Sequence, residues 1–424
     1  MRVAFYIHGF SPKNGFDAAS LLCSNPGLGG TEYVVILVAY SLQQRNNDID
    51  VVIYSTEGNI IKGMNDVEQV EGISDAIARG NNENIDYLIF CHDSQLIQNG
   101  HLYVKSPYTK LIVWCHNFAT WKELDYYADD AKIWKIVNVG REQRDLFIDH
   151  RSFSKSVYIY NCLGIEESRR HDISIHQENI VTYMGCVWPR KGFHWLADEW
   201  KKVLQAVPDA QLYVIGSGKL YGWDMKMGPL GIAEASYERR ITYPLSENGI
   251  LLPSVHFMGI MGDEKYDILA KTKVGVPNPT GNTETFCITA VEMQAMGAYV
   301  VMGKCPGALD TVINGRIINR KKSLAPAIIS ALKSRPGYDC ETYQMIHNRF
   351  SVENVIRRWE SLLLEGQLDD ETVRNINYRW KWLKILIGKI NRNHHRIPSI
   401  ERILLIIERH MGGNRSMYQY VPKK

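Results

Sequence analysis

The sequence of 424 residues lacks several features that define specialised classes of protein. No apolar run reaches the roughly 18 residues that a transmembrane helix needs, so we expect none. The eight cysteines form no C-x-x-C pair, and most lie in apolar segments, which favours buried free thiols in a reducing cytoplasm over a zinc site or a disulfide framework. The 33 glycines and 15 prolines exclude a collagen-like or proline-rich fibrous protein. The segment Met1–His8 is too short and too polar for a secretory signal and begins as a strand.

What is present is an ordinary globular composition with an uneven charge distribution. Hydrophobic residues make up 45% and charged residues 22% of the chain, and its length predicts two domains at roughly 100–200 residues each. Residues 374–424 contain 12 Lys and Arg against two acidic residues, a formal charge of +10, whereas the rest of the chain carries −7. This basic tail predicts an anionic partner.

Short apolar runs alternate with helical patterns along most of the chain. Such alternation predicts parallel sheets with crossover helices, and two successive sets predict two doubly wound α/β domains. We place these domains at residues 1–170 and 171–350, followed by a helix in 351–373 that returns to the first domain and by the tail at 374–424. Open α/β sheets bind ligands beyond the carboxyl ends of their strands, so the loops there are the places to look for chemistry.

One such loop leads into a helix predicted over residues 285–296. Thr285 is the predicted N-cap of this helix, and the backbone amides of Phe286 and Cys287 would then point at an anion such as a diphosphate. The alternative is a plain capped helix on the surface.

Two glutamates bracket this helix start. Glu284 precedes it, and Glu292 lies about two turns further along, which brings both carboxylates to roughly the same side. One carboxylate could bind ribose hydroxyls and the other a sugar, as a nucleotide-sugar would require. In the alternative, both glutamates are solvated.

The spacing Glu284-x7-Glu292, with Phe286 after the Glu-Thr pair, resembles that of the retaining glycosyltransferases of family 4. The resemblance extends over most of residues 1–365 and does not include the tail. It implies the GT-B fold, in which two Rossmann-like domains face a cleft. It also implies that Glu284 contacts the hydroxyls of the donor sugar as a catalytic residue and that Glu292 binds the nucleotide ribose.

A basic pair lies in a second strand-to-helix loop. Arg190 and Lys191, followed by Gly192, are similar to the pair that binds the donor diphosphate in that family. A cation is needed there because the leaving diphosphate gains negative charge. The family's usual arginine stands directly after the loop's first glycine, where this chain has Cys186. The alternative for the basic pair is a solvated loop.

Three further loops resemble donor-binding segments of the family. Gly29 and Gly30 would touch the donor diphosphate, Gly216 would lie close to the nucleotide, and Met258 would end the strand that meets the base. Glycines permit close approach of the backbone to a ligand, although a plain turn would also use them. The first loop is not a dinucleotide fingerprint, because Glu32 stands where a glycine is required.

His116 follows a strand predicted over residues 111–115. The family carries a histidine at the matching place, near the donor sugar and the acceptor, so the resemblance makes His116 a catalytic candidate. An imidazole there can hydrogen-bond a sugar hydroxyl or steady the charge that builds at the anomeric carbon. The alternative is a structural histidine.

The tail combines Trp, aliphatic and basic residues in two amphipathic helical patterns within residues 374–411, broken at Pro398. This pattern predicts binding to an anionic membrane surface. In the alternative, the apolar face packs onto the first domain or onto a second subunit, which leaves a homodimer open. Nucleic acid is a poor fit because the segment is too apolar and carries no recognised motif.

These patterns together predict a retaining glycosyltransferase of surface polysaccharide assembly, of bacterial type. It would move a sugar from a nucleoside-diphosphate sugar to a hydroxyl of a glycan or a lipid-linked glycan, without a metal or other cofactor. We expect it in the cytoplasm, peripheral on the inner face of the membrane. The alternatives are a nucleotide-sugar epimerase of related fold and an inactive glycan-binding or assembly partner, which Cys186 favours.

Overall fold

The computed structural model divides into two compact units, unit 1 and unit 2. Unit 1 contains Met1–Ala19, Val34–Asn161 and Val352–Lys424, and unit 2 contains Ser20–Tyr33 and Cys162–Ser351. The residues described are 1–8, 16–45, 48–57, 61–92, 109–164, 178–221, 225–282, 284–334, 340–368, 381–392, 397, 398, 400 and 403. Each unit is therefore assembled from separate stretches of the chain.

The described residues form alternating strands and helices. The strands are β1 (Arg2–Ile7), β2 (Asp50–Ser55), β3 (Asp66–Gln69), β4 (Tyr87–Cys91), β5 (Lys110–Cys115), β6 (Ile133–Asn138), β7 (Ser156–Tyr158), β8 (Ile180–Met184), β9 (Gln211–Ile215), β10 (Ser246–Glu247), β11 (Ile250–Leu251), β12 (Val255–Gly259), β13 (Val274–Gly275), β14 (Tyr299–Gly303) and β15 (Gly315–Ile318). The α-helices are α1 (Gly30–Arg45), α2 (Ile73–Asn82), α3 (Trp121–Asp129), α4 (Arg141–Asp145), α5 (Phe193–Ala206), α6 (Ala235–Thr242), α7 (Lys265–Leu269), α8 (Ile288–Ala295), α9 (Pro306–Thr311), α10 (Leu324–Ser334), α11 (Cys340–Phe350), α12 (Val352–Glu360) and α13 (Lys381–Arg392). Short 3-10 helices occur at Ala18–Leu22, Arg151–Lys155, Pro189–Lys191, Gly218–Tyr221 and Lys321–Ser323, and a π-helical turn at Ser361–Glu365.

Unit 1 is built on a seven-stranded sheet in the order β3-β2-β1-β4-β5-β6-β7. All its strand pairs are parallel. In the central strand, Phe5 pairs with Ile53 on one side and with Ile89 on the other. The inner strands are continuous apolar runs because helices cover both faces of the sheet.

Helix α12 is part of unit 1 although it follows the last residues of unit 2 in the chain. Its Trp359 packs edge-on against Trp114 of β5, with ring centroids 4.7 Å apart, and neither side chain is exposed. A change of either indole to alanine would cost about 3–5 kcal/mol of stability.

The tail helix α13 also packs against unit 1. A Cβ on Gly388 would overlap the carbonyl oxygen of Ile148, so this approach requires glycine. Asn391 Nδ2 donates a hydrogen bond to the carbonyl oxygen of Asp149 at 2.7 Å, and the backbone N–H of Ile400 donates to the Asp149 carboxylate at 2.7 Å. One face of the tail therefore docks within its own chain.

Other apolar residues of α13 are exposed to solvent. Trp382 is 84% exposed, Leu386 55% and Leu383 44%. The alternatives predicted for the apolar face were an anionic membrane surface and packing onto the first domain or a second subunit. In the described residues of α13, the apolar side chains are divided between a docked face and an exposed one. Most of the second helical pattern of the tail lies outside the described residues.

Unit 2 contains a six-stranded sheet in the order β12-β9-β8-β13-β14-β15 and a small hairpin of β10 and β11. The six strands are parallel. Numbered from the first strand of each sheet, both units show the order 3-2-1-4-5-6 of a doubly wound Rossmann-like domain. The predicted class of two such domains is confirmed.

Candidate functional site

The sheet of unit 2 reverses its strand order between β8 and β13. From β8 the chain moves to β9 and β12 on one side, and later it continues from β13 to β14 and β15 on the other. Ligands of open α/β sheets bind outside the carboxyl ends of the strands at such a switch point. The loop 185–192 follows β8 and the loop 276–287 follows β13, so both motif-bearing loops flank this point.

The predicted basic residue of one loop meets the predicted carboxylate of the other. Lys191 ends a 3-10 turn, and its Nζ donates a hydrogen bond to Glu284 Oε1. The side chain of Glu284 is 8% exposed and that of Lys191 is 25% exposed. Asn278 Nδ2 lies 3.4 Å from the same carboxylate oxygen. An ion pair thus joins the two loops at the switch point.

The backbone of the second loop is held by the buried Asn278. Its Oδ1 accepts hydrogen bonds from the Gly281 N–H at 3.0 Å and from the Thr280 hydroxyl at 2.9 Å, while its Nδ2 donates to the carbonyl oxygen of Asn282. Gly281 has a φ of +70°, and a Cβ there would lie 2.7 Å from the Gly303 carbonyl group. These hydrogen bonds fix the backbone of residues 278–282, shortly before Glu284. Sequence reasoning missed Asn278.

The second glutamate is also buried. Glu292, in the second turn of α8, is 4% exposed, and its Oε1 accepts hydrogen bonds from Tyr266 Oη at 2.8 Å and from Lys265 Nζ at 2.9 Å. In the described part of the chain, both of these contacts fall on Oε1. The alternative of two solvated glutamates is wrong, because Glu284 and Glu292 are both buried. Lys265 and Tyr266 carried no motif that could have identified them.

The predicted helix start requires a correction. Helix α8 begins at Ile288 with Cys287 in the N-cap position, so Thr285 is not the N-cap. The preceding residues are held in an irregular conformation by contacts distant in sequence. The Gly307 N–H donates to the carbonyl oxygen of Glu284 at 3.1 Å, and the ring of Phe286 packs edge-on against that of Phe350.

Thr285, Phe286 and Cys287 lie between Glu284 and the first turn of α8, and all three side chains are buried. Burial raises the pKa of the Cys287 thiol to about 12, so this residue is a neutral thiol at physiological pH.

The glycines of the neighbouring loops make close backbone contacts. Gly216 follows β9 with a φ of +122°, and a Cβ there would overlap the carbonyl oxygen of Gly185, which follows β8. The Gly216 N–H donates to the carbonyl oxygen of Gly259 at 2.6 Å. Three adjacent strand ends therefore meet without side chains. Beside them, Met258 of β12 is 39% exposed.

Arg190, the other predicted cation, and Cys186, which stands at the place of the family arginine, differ in exposure. Arg190 is exposed, and its carbonyl oxygen lies 3.4 Å from the Thr280 hydroxyl. Cys186 is 2% exposed, and burial raises the pKa of its thiol to about 11. The position of the family arginine is thus occupied by a neutral side chain.

The glycine-rich segment near the N-terminus belongs to unit 2. A Cβ on Gly30 would lie 3.7 Å from the side chain of Ile288, at the start of α8. Asn25 Oδ1 accepts hydrogen bonds from the backbone N–H groups of Gly27 and Leu28, at 3.0 and 2.7 Å, which shapes the turn before Gly29. The predicted contact segment is therefore close to the helix that carries Glu292.

His116 lies in unit 1, directly after β5, and is 9% exposed. Its ring centroid is 4.6 Å from that of Trp114. Burial lowers the pKa of His116 to about 3, so the imidazole is neutral at physiological pH and can exchange hydrogen bonds but carries no charge. A neutral ring does not itself supply positive charge.

A second histidine follows the neighbouring strand β4. His92 Nδ1 lies 2.7 Å from Tyr127 Oη, and His92 Nε2 lies 3.4 Å from Glu123. Glu123 also accepts a hydrogen bond from the Thr120 N–H within the capping box of α3. Sequence reasoning missed this buried cluster, although His92 follows a strand just as His116 does.

Among the described residues, no group of three or more His, Cys, Asp and Glu side chains could hold a metal ion. No helix in the same ranges has the length and apolar character needed to cross a membrane.

Comparison with known proteins supports this picture of the fold. Residues 178–334 match the family model described as Glycosyl transferases group 1. A search of curated proteins found no match. A glycosyltransferase structure from Rickettsia africae ESF-5 is 15% identical, covers 86% of this chain and 98% of its own, and has a TM-score of 0.64.

Two further solved structures are similar. The apo lipopolysaccharide outer core galactosyltransferase WaaB is 12% identical, covers 87% of this chain and 100% of its own, and has a TM-score of 0.56. The pneumococcal O-GlcNAc transferase GtfA, solved with UDP and GlcNAc, is 13% identical, covers 69% of this chain and 60% of its own, and has a TM-score of 0.51. The chain thus has the fold of GT-B glycosyltransferases, and the family match over residues 178–334 supports glycosyl transfer.

Proposed function

We propose that this protein is a retaining glycosyltransferase. It moves a sugar from a nucleoside-diphosphate sugar to a hydroxyl of a glycan or lipid-linked glycan. The observation that carries the proposal is the ion pair between Lys191 and Glu284 at the switch point of unit 2, next to glycine-lined strand ends. This edge offers a cation for a diphosphate and a carboxylate for sugar hydroxyls, on two loops joined by the ion pair.

Each residue has a role that its surroundings permit. The Lys191 ammonium, together with backbone amides, neutralises the charge that grows on the leaving diphosphate. Glu284 accepts hydrogen bonds from hydroxyls of the sugar, and Glu292 accepts them from the ribose. The neutral imidazole of His116 hydrogen-bonds a sugar hydroxyl.

The transfer step needs no protein nucleophile. The bond from the anomeric carbon to the diphosphate oxygen breaks as a bond to the acceptor oxygen forms on the same face of the sugar. The acceptor proton passes to the departing diphosphate. The high pKa of Cys287 fits this scheme, since a neutral buried thiol is a poor nucleophile.

We propose UDP as the first nucleotide to test, because the similar GtfA was solved with UDP. We also propose that the tail binds an anionic membrane surface. The exposed Trp382 and Leu386 lie on a helix that also exposes Lys389, in a segment with a large positive charge. Such a combination is suited to the boundary between lipid headgroups and acyl chains.

One observation favours a second candidate, an inactive glycan-binding or assembly partner. The neutral, buried Cys186 replaces a cation that the family uses at the diphosphate. Such a protein would bind its ligand without turnover.

The test is transfer by Lys191→Ala and Glu292→Ala variants, with UDP-, GDP- and ADP-sugars and glycan or lipid-linked acceptors. We expect the kcat/KM for the donor to fall by about 100-fold or more in each variant while its thermal unfolding remains cooperative. Lys271→Ala removes an exposed lysine of the same unit and serves as the control. Near-normal transfer by both variants contradicts the site. Interconversion of the donor sugar without an acceptor indicates an epimerase, and binding without turnover indicates the inactive partner.

A further inference from the structure

Unit 2 contains a buried lysine that neither the motif nor the proposed transfer step uses. Lys265 is the first residue of α7 and is 5% exposed. Lysine is almost never this buried unless its charge is paired. Its Nζ lies 2.9 Å from Glu292 Oε1 and 3.0 Å from the carbonyl oxygen of Asn25, and 5.1 Å from the centroid of the Tyr266 ring. Two of the three ammonium protons are therefore used by partners from different parts of the chain.

Stability alone is a poor explanation for this arrangement. A buried ion pair loses much of its attraction to the cost of removing both charges from water, and apolar residues of similar volume often serve as well. Tyr266 and Leu269 of the same helix are also buried, so a larger apolar side chain at position 265 would be covered as they are. A function for the charge itself is the better account.

The ammonium connects two segments that bear on the same ligand. On one side is Glu292, whose Oε1 accepts hydrogen bonds from Lys265 and Tyr266, so the position of this carboxylate depends on the ammonium. On the other side is Asn25, whose side chain shapes the turn that leads to Gly29.

The far end of the same glycine-rich segment is also fixed within unit 2. Tyr33 Oη donates to the carbonyl oxygen of Leu21 at 3.2 Å and accepts from the Gly164 N–H at 2.9 Å. The segment is thus anchored at Tyr33 by hydrogen bonds of a buried hydroxyl and at Asn25 by Lys265. Loss of Lys265 would remove the anchor at Asn25 and leave the hydrogen bonds of Tyr33 in place.

We propose that Lys265 is a positioning residue of the donor site. It holds the glycine-rich loop and the Glu292 carboxylate in fixed register, so that the diphosphate and the ribose of one donor molecule are bound together. This inference rests on the proposed function. The contacts of the glycine-rich loop and of Glu292 with the donor are made before and during transfer alike, unlike that of Lys191 with the leaving group, and loss of such uniform binding raises KM with little change in kcat.

The experiment compares Lys265→Met with the wild-type chain. We expect the KM for the donor and the Kd for UDP to rise about tenfold, with kcat within about threefold of wild type. Lys265→Arg, which keeps the charge, should recover part of this loss. The control is Lys273→Met, since Lys273 also bonds a carbonyl oxygen, that of Leu332, but precedes β13 at the amino edge of the sheet.

Asn25→Ala addresses the case in which Lys265→Met does not fold. It disrupts the half-buried turn while leaving the ion pair in place, and we again expect a higher donor KM with kcat nearly unchanged. If the wild-type chain transfers sugar and the donor KM of folded Lys265→Met or of Asn25→Ala equals that of the wild type, the positioning role is overturned. The proposed function is then unaffected. Failure of the wild-type chain to bind any nucleoside diphosphate or to transfer sugar overturns both. A parallel fall in kcat and stability without a change in donor KM would show a merely structural residue.

Discussion

The ion pair between Lys191 and Glu284 makes a prediction that runs against the usual effect of mutating a binding site. The Lys191 ammonium cannot bind a diphosphate at full strength while Glu284 shares it. Glu284→Gln removes the competing charge and keeps the shape of the side chain. We therefore expect this variant to bind a free nucleoside diphosphate more tightly than wild type, although it transfers sugar poorly.

The magnitude follows from the geometry of a shared ammonium. An ammonium placed between a carboxylate oxygen and a phosphate oxygen separates the two anions by about 6 Å, or two hydrogen-bond lengths. At an effective dielectric constant of about 20, their repulsion is about 3 kcal/mol, and screening by salt reduces it to about 1–2 kcal/mol. This corresponds to a Kd for UDP that is about 5- to 30-fold lower in the variant.

The assay is titration calorimetry with UDP, GDP and ADP, followed by a transfer assay with the sugar form of the nucleotide that binds best. Glu247→Gln makes the same change of net charge at an exposed site of unit 2 and controls for long-range electrostatics. Weaker or equal binding by Glu284→Gln refutes the reasoning, because it would mean that the carboxylate does not compete with the diphosphate. Unimpaired transfer by this variant refutes the role of Glu284 at the sugar.

Three further predictions follow from single residues. Gly216→Ala should lower the unfolding temperature of the protein and abolish its stabilisation by UDP in a thermal shift assay, since a Cβ would overlap the Gly185 carbonyl at a φ of +122°. His116→Asn should make the free energy of unfolding less dependent on pH between about 6.5 and 3. In the wild type the unfolded chain takes up a proton in that range and the folded chain does not. The free energy of unfolding therefore decreases as the pH is lowered, by up to about 1.4 kcal/mol per pH unit. An equal slope in the variant would contradict burial of a neutral imidazole. Trp382→Ala should reduce co-sedimentation with phosphatidylserine vesicles several-fold without changing the unfolding temperature; unchanged sedimentation would argue against the tail as a membrane contact.

Local patterns predicted which segments of unit 2 come together. The loops that carry Lys191 and Glu284 each follow an apolar strand, and a parallel sheet brings such loops to one edge although the two residues are 93 positions apart. The spacing of Glu284 and Glu292 indicated the second of these loops and helix α8. The alternation of apolar runs with helical patterns likewise predicted two Rossmann-like domains, because strands buried on both faces are recognisable from composition alone.

The features that could not be predicted depend on contacts between distant residues. Thr285 has the chemistry of an N-cap, but the Gly307 N–H bonds the preceding carbonyl oxygen and delays the helix to Ile288. Lys265 stands among charged residues of a short helix, and only the fold shows that its ammonium is buried against Glu292 and Asn25. Propensity and spacing carry no information about such partners, which are 27 and 240 residues away.

The interleaving of the two units in the chain has a consequence for biosynthesis. The segment Ser20–Tyr33 leaves the ribosome early, yet its partners Gly164, Lys265 and Ile288 are made much later. The indole of Trp114 likewise cannot be covered until Trp359 has been synthesised. Neither unit can finish folding from its first contiguous stretch, so the nascent polypeptide exposes apolar surface until synthesis is nearly complete. If the gene were divided between the segments that encode the two sheets, the two products would accordingly be incomplete units and not two autonomous domains.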